Sequence, residues 1–387
     1  MKKLSTLLLC ALLCLGLAGS TSAVEKDDLF SQDVFISGHG GYHTYRIPAL
    51  VITSNETLLA FCEGRKRSPS DEGDVDLLLK RSIDGGRRWS EQIVIHEEGG
   101  DATITIGNPC PIVERKSRRI HLLFTRNNKR LFYTRSIDDG LTWSAPRELT
   151  EILKGFDYPR VRIATGPVHG IQMKNGRLIA PVWVCDRERK HKDENSTKSR
   201  YQAGNIYSDD SGDTWQAGSL VPPDLNRLNE CTVLERNDGS LIMNMRAHNV
   251  GFRAVAASHD NGMTWSTPIL DKNLPCPTCQ GSIIRLNDKE ILFSNPAGGG
   301  RKHLTLRLSP DEGKSWTHAR TINKELAAYS DMAITKKGEI LCLFENGKNK
   351  YHEKISIVKV KRNWLTTDEK AQQFPHILYF PEKTKDF

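Results

Sequence analysis

Six short apolar runs in this 387-residue chain each finish on polar side chains that could do chemistry. The runs are "ETLLAFCEGR", "RRIHLLFTRN", "GRLIAPVWVCDR", "GSLIMNMRAH", "KEILFSNPA" and "GEILCLFENG". They deliver Glu63 and Arg65, Arg126, Asp186, Arg246, Asn295 and Glu345. A single charge at a strand end is ordinarily just solvated. Six strands bringing such residues to one rim predict a polar, arginine-rich cavity. Guanidinium groups stay charged at any working pH, so the cavity suits an anionic ligand.

The elements that must position these residues repeat. "SIDGGRRW" from Ser82, "SIDDGLTW" from Ser136, "SDDSGDTW" from Ser208, "SHDNGMTW" from Ser258 and "SPDEGKSW" from Ser309 share the pattern S-x-D-x-G-x-x-W. Their starts are 54, 72, 50 and 51 residues apart, a period that points to a solenoid, propeller or array. Each box follows one of the apolar runs. After the sixth run, "ISIVKVKRNW" ends in Trp364, where a sixth box would fall without its Asp and Gly. Short strands punctuated by Gly, Asn and Asp dominate, and long helical patterns are scarce. We expect an all-β, six-bladed β-propeller over residues 24–387. Within a box, the Asp accepts backbone N–H groups of its own turn, the Gly supplies positive φ, and the Trp packs between strands. A motif used five times is scaffold, so the chemistry should fall on residues that occur once.

Composition narrows the function class. Hydrophobic residues at 38% and charged residues at 26% suit a globular protein. Lys2 and Lys3 precede an apolar run from Leu7 to Leu17 and small residues through Ala23. That order describes a secretory signal peptide over residues 1–23, cut after Ser20 or Ala23 and too short to span a bilayer well. The expected location is secreted or periplasmic, without stable membrane insertion. Loss of the two lysines takes the formal charge from +8 to +6, and no basic run dominates. Nucleic-acid binding is therefore not expected. Seven cysteines remain beyond the leader, an odd number that argues against a disulfide framework. "CPTC" at 276–279 lacks the partners of a zinc site and reads as two cysteines in a turn. Asn55 and Asn195 stand in N-x-S/T contexts.

"YRIPAL" at 45–50, followed by the S-x-D-x-G-x-x-W boxes, resembles the exo-α-sialidases (neuraminidases) of bacteria and animals. The resemblance covers nearly all of the mature chain. It implies three arginines on the carboxylate of sialic acid, matched by Arg46, Arg246 and Arg301, with Glu345 bracing the first. Bidentate guanidinium–carboxylate pairing makes that assignment physically sensible. It also implies a tyrosine nucleophile, Tyr329 in "AAYSDM", and a carboxylate that takes its proton, Glu230 in "LNECTVLE". An anionic nucleophile would be repelled by the substrate's own carboxylate, whereas a Tyr–Glu couple carries its charge farther back. The acid/base carries over to Asp71 in "GRKRSPSDEGDVD", with Asp74 and Asp76 as close competitors. Closure of that loop would desolvate the carboxyl and help it hold a proton. Arg65 matches a residue near the C4 hydroxyl. Ile106 and Asn108 of "IGNPCP" are candidates beside the N-acetyl group, and Gln280 of "CQGS" beside the glycerol tail. A turn or core role serves each of these three equally. His169 in "GPVHG" reads as a structural or rim residue.

The resemblance thus implies a retaining exo-α-sialidase acting on glycoproteins, glycolipids such as gangliosides, and oligosaccharides. It needs no metal or cofactor and is expected as a monomer. Two alternatives differ in kind. A trans-sialidase would keep the chemistry and change the acceptor. A glycan-binding propeller would keep the boxes and lose a catalytic residue, yet Tyr329, Glu230 and the three arginines are all present.

Overall fold

The computed structural model describes residues 29–100, 102–187, 200–225 and 227–367. The leader at 1–23 and Asn195 lie outside them. Among the described residues strands dominate, and the one α-helix is five residues long, Arg362–Thr366. Among the described residues no helix is long and apolar enough to cross a membrane.

The described strands form five antiparallel sheets. The first is Thr44–Ile52, Leu58–Arg65, Val75–Ser82 and Ile93–His96 in that order; the second is Ile106–Val113, Ile120–Arg126, Arg130–Ser136 and Arg147–Glu148. The third runs Arg162–Thr165, Leu178–Cys185, Tyr201–Ser208 and Gln216–Leu220, with Ile171–Gln172 also paired to its second strand. The fourth is Leu228–Glu235, Leu241–Ala247, Phe252–Ser258 and Ile269–Pro275. The last has seven strands in the order Leu29–Ile36, Lys354–Val360, Ile340–Gly347, His318–Ile334, Lys302–Ser309, Ile291–Pro296 and Ser282–Arg285. His318–Ile334 is 17 residues long; its first part pairs with Lys302–Ser309 and its second with Ile340–Gly347.

The core lies between the sheets. In Leu58–Arg65, Leu58, Ala60 and Cys62 pack with Leu341, Leu343, Ile355 and Ile357 of the seven-stranded sheet. The alternate residues Leu59 and Phe61 pack with Ile120, Leu122 and Phe124 of the second sheet. With both faces buried, the strand is apolar throughout rather than alternating. Similar clusters join the second sheet to the third, the third to the fourth, and the fourth to the seven-stranded sheet. The sheets therefore close into a ring, a propeller-like arrangement.

All five boxes form the same turn. Ser136 Oγ donates to Asp138 Oδ1 at 2.8 Å, Thr142 N reaches the same oxygen at 2.9 Å, and Gly140 N reaches Ser136 Oγ at 2.9 Å. Gly140 has φ 81°, where a side chain would be strained. The tryptophans depart from expectation, because they join neighbouring sheets rather than strands of one sheet. Trp143 lies edge-on to Phe61 at 5.8 Å, and Trp265 Nε1 donates to Asn205 Oδ1 at 2.9 Å, each across to the preceding sheet. Each box begins where its strand pairs with the start of the apolar run: Ser82 with Leu58, Ser136 with Ile120, Ser208 with Leu178, Ser258 with Leu241 and Ser309 with Ile291. The boxes thus occupy the opposite strand ends from Arg65, Arg246 and Glu345. At the sixth position the helix Arg362–Thr366 replaces the box, and Arg320 stacks on Trp364 at 4.0 Å.

Candidate active site

Bulges aim the site. In four innermost strands the pairing slips at the same place, so two residues oppose one: Ile47 and Pro48 face Cys62, Asn108 and Pro109 face Phe124, Asn229 and Glu230 face Arg246, and Ala328 and Tyr329 face Glu345. A bulge of this kind re-aims a side chain out of the ladder. Ile47 and Asn108 both have φ 58°, a costly conformation, above all for a β-branched residue. Ile47 is held there by its N–H donating to Glu345 Oε1 at 2.9 Å, and Asn108 by its N–H donating to Glu63 Oε1 at 3.0 Å.

The bulges bring one constellation together. Glu345, with 0% of its surface exposed, takes Arg46 Nε at 2.8 Å and Arg46 Nη2 at 3.1 Å. Tyr329 N shares Oε2 with Arg46 Nη2, at 3.3 Å. Tyr329 Oη donates to Glu230 Oε1, and Arg246 Nη1 donates to Glu230 Oε2 at 2.6 Å and to Tyr329 Oη at 3.1 Å. Burial pushes the Tyr329 hydroxyl well above the ordinary phenol range; Glu230 adds to this, while Arg246, Arg301 and Arg46 oppose it. Arg46 and Arg301 stack on the Tyr329 ring at 5.2 and 5.3 Å, and on the Tyr351 ring at 5.2 and 4.9 Å. Three guanidinium groups, two carboxylates and two phenol rings thus form a single cluster.

Asp71 stands on the loop after Leu58–Arg65. Its Oδ1 lies 2.8 Å from Arg65 Nη1 and 3.4 Å from Arg46 Nη1, with its side chain 40% exposed. Its two competitors point elsewhere: Asp74 and Asp76 both hold Lys66, at 3.3 and 3.2 Å, and Asp76 also takes the Tyr42 hydroxyl at 2.6 Å. Arg65 is clamped by Glu63 Oε2 through Nη2 at 2.7 Å and Nε at 3.1 Å. A cavity of about 400 Å³ opens beside Asp71, lined among others by Thr105, Asn127, Asn128, Lys129 and Arg162. Asn108 adjoins this wall, its Nδ2 donating to Asn128 Oδ1 at 2.8 Å.

Other candidates fall behind the pocket. Ile106 is a core residue packed with Leu77 and Phe124. Gln280 is 1% exposed, and its amide is engaged by backbone: it donates to Gly281 O and Ser330 O and accepts from Ser330 N, at 2.8, 3.0 and 3.0 Å. It braces the strand beside Tyr329. Of the other strand-end residues, Arg126 pairs with Glu98 at 2.6 Å, Asp186 with Arg200 at 2.8 Å and Asn295 with Arg307 at 2.8 Å. None of the three joins the constellation. Sequence reasoning missed Tyr351 and the clamping role of Glu63. Glu63 was visible as a strand-end acid two residues before Arg65, whereas Tyr351 in "KNKYHEK" carries no local signal.

A family model for the BNR repeat-like domain matches residues 56–342. The chain is 31% identical to a sialidase of Micromonospora viridifaciens over 86% of this chain and 54% of that one. It is 30% identical to sialidase-3 of Bos taurus over 84% of this chain and 91% of that one. Among solved structures, Hadza microbial sialidase Hz136 superposes with a TM-score of 0.76 at 25% identity, covering 87% of this chain and 69% of that one. The chain belongs to the sialidase family of glycoside hydrolases, and it spans about half the length of the Micromonospora relative.

Proposed function

We propose that this protein is a retaining exo-α-sialidase that removes terminal α-linked sialic acid from glycoproteins, glycolipids and oligosaccharides. The observation that carries the reading is the contact set of Tyr329, Glu230 and Arg246, with Arg46 and Arg301 stacked on the same ring. Arg46, Arg246 and Arg301 receive the substrate carboxylate, which fixes the anomeric carbon above Tyr329 Oη. The raised phenol pKa keeps Tyr329 neutral until attack, so Glu230 must accept its proton as the C–O bond forms. Asp71 gives a proton to the departing glycosidic oxygen. A sugar filling the pocket excludes water from Asp71, and a substrate carboxylate on Arg46 competes for that cation; both favour the protonated acid. In the second half, Asp71 takes a proton from water, which attacks the anomeric carbon and returns the bond electrons to Tyr329. Two displacements give net retention. Arg65, held by Glu63, faces the sugar beside Asp71. Asn108, with Ile106 behind it, borders the neighbouring substituent, and Gln280 acts by supporting Tyr329's strand.

The fold serves this reading as six blades over residues 24–387, after a leader at 1–23. The seven-stranded sheet divides within His318–Ile334 into two blades, the last closed by Leu29–Ile36 on Lys354–Val360. The protein acts as a monomer outside the cytoplasm. A panel of defined sialosides followed by NMR tests the activity. Free sialic acid should appear first as the α-anomer. Initial β-anomer refutes retention, transfer to an added glycan favours a trans-sialidase, and no turnover refutes the enzyme reading.

A further inference from the structure

Below the pocket, at the ring centre, lies a polar knot that the chemistry above does not use. Asp331 is wholly buried two residues after Tyr329 on the same strand. Its Oδ2 accepts Leu50 N at 2.9 Å and His169 N at 3.1 Å. Its Oδ1 accepts His169 Nδ1 at 2.6 Å, Ser282 Oγ at 2.8 Å and Met332 N at 2.9 Å. Those donors come from different innermost segments. Leu50 is four residues after Arg46 in Thr44–Ile52, His169 sits between Arg162–Thr165 and Ile171–Gln172, and Ser282 opens the strand after Gln280. A carboxylate with five donors is a strong junction because charged hydrogen bonds are short and stiff.

We propose that the His169–Asp331 pair is a positioning element that sets Tyr329 against Arg46 and Glu230. Tyr329 itself stands in a bulge, outside the ladder that would otherwise fix it. Its strand is held on one side of the bulge by Gln280 at Ser330 and by Asp331 one residue on. Arg46's strand is tied to the same carboxylate through Leu50. His169 completes the junction, because both its ring Nδ1, at 2.6 Å, and its backbone N–H, at 3.1 Å, reach Asp331. Burial works against protonation of the imidazole, but the neighbouring Asp331 carboxylate outweighs it and holds the His169 pKa above the ordinary value. Loosening the junction would let the nucleophile and its carboxylate clamp drift apart. A misplacement of about 1 Å can cost roughly a hundredfold in rate without removing any reacting group.

The inference rests on the sialidase reading, and the test separates the two. His169→Asn keeps an amide N–H near the Nδ1 position, whereas His169→Leu removes it. With a fluorogenic sialoside, and at a temperature where each variant gives a native melt, His169→Leu should lower kcat by about tenfold or more. KM and the inhibition constant of free sialic acid should stay within about threefold, and His169→Asn should recover most of kcat. A role in stability alone would lower the melting temperature of both and leave kcat per folded molecule unchanged, which overturns the proposal. Should His169→Leu fail to fold, Ser282→Ala removes one neutral donor to Asp331; a lowered kcat with unmoved KM supports the proposal, and an unmoved kcat overturns it. A parent protein without turnover refutes the reading of the site and this inference with it; a working parent with unimpaired variants refutes the inference alone.

Discussion

Glu345→Gln isolates the brace behind Arg46, the proposed anchor for the substrate carboxylate. The carboxylate is fully buried, receives two guanidinium N–H groups and two backbone N–H groups, and offers nothing but acceptors to all four. The amide keeps one acceptor and turns an NH₂ toward donors, either Arg46 Nε and Ile47 N or Arg46 Nη2 and Tyr329 N. Breaking a buried pair by altering one partner costs about 3–5 kcal/mol, because the other charge stays buried without compensation. That figure is the ceiling for lost stability and lost transition-state binding together. If half of it appears in the reaction, kcat/KM falls about ten- to a hundredfold at 1.36 kcal/mol per decade, and the remainder lowers the melting temperature by several degrees. The matched control is Glu148→Gln, which breaks the exposed pair with Arg130 and should change stability by less than about 1 kcal/mol. Thermal melts and fluorogenic sialoside kinetics on the three proteins decide it. A Glu345→Gln protein as stable as the control, with kcat/KM within about twofold of the parent, would show that Arg46 is held by something else.

Tyr329→Phe should fold normally, since Glu230 keeps its 2.6 Å pair with Arg246, and should lose most turnover of the same substrate; unchanged kinetics would sink the nucleophile assignment. Asp138→Ala removes the acceptor for Thr142 N and Ser136 Oγ, at a cost of about 1–2 kcal/mol. It should lower the melting temperature by a few degrees while kcat/KM stays put; a loss of activity in the folded variant would contradict the placement of the boxes at the far strand ends. His121 is buried beside Tyr133, and burial, opposed by Glu114, lowers its pKa from 6.5 to about 4. Its neutral form is favoured in the folded state, so its contribution is complete above pH 6.5 and is lost as pH falls toward 4, about 3 kcal/mol in all. His121→Gln should flatten the decline in stability over that window; an equally steep decline would place the acid sensitivity elsewhere.

What the sequence made legible was local or occurred once. The boxes are local turns closed by hydrogen bonds within four or five residues, such as Ser136 to Gly140, so their spacing reads directly as architecture. Arg46, Glu230, Arg246, Arg301, Tyr329 and Glu345 were legible through the family resemblance, and they meet in one cluster of contacts. The packing of the tryptophans onto the preceding sheet was hidden, because no pattern within one strand says which neighbour covers it. The pairing of Leu29–Ile36 with Lys354–Val360 was hidden for the same reason: it joins residues more than 300 positions apart, as Ser37 Oγ and His352 O do just beyond it.

The division between boxes and pocket explains why one fold can hold a strained site. Ile47 and Asn108 sit at positive φ, three arginines share a pocket, and Asp331 and Glu345 are buried charges. Each is unfavourable taken alone. The compensation lies partly in the carboxylates that meet those groups directly and partly at the other end of the same strands. There the five boxes and the inter-sheet clusters of leucine, isoleucine and phenylalanine hold the ring together away from the Arg46–Tyr329 cluster. A residue at the box end can therefore change stability with little effect on chemistry, and a residue at the bulge end changes both. The pair that crosses this division is Asp331 with His169, which is buried like scaffold, with Asp331 two residues from Tyr329 on the same strand.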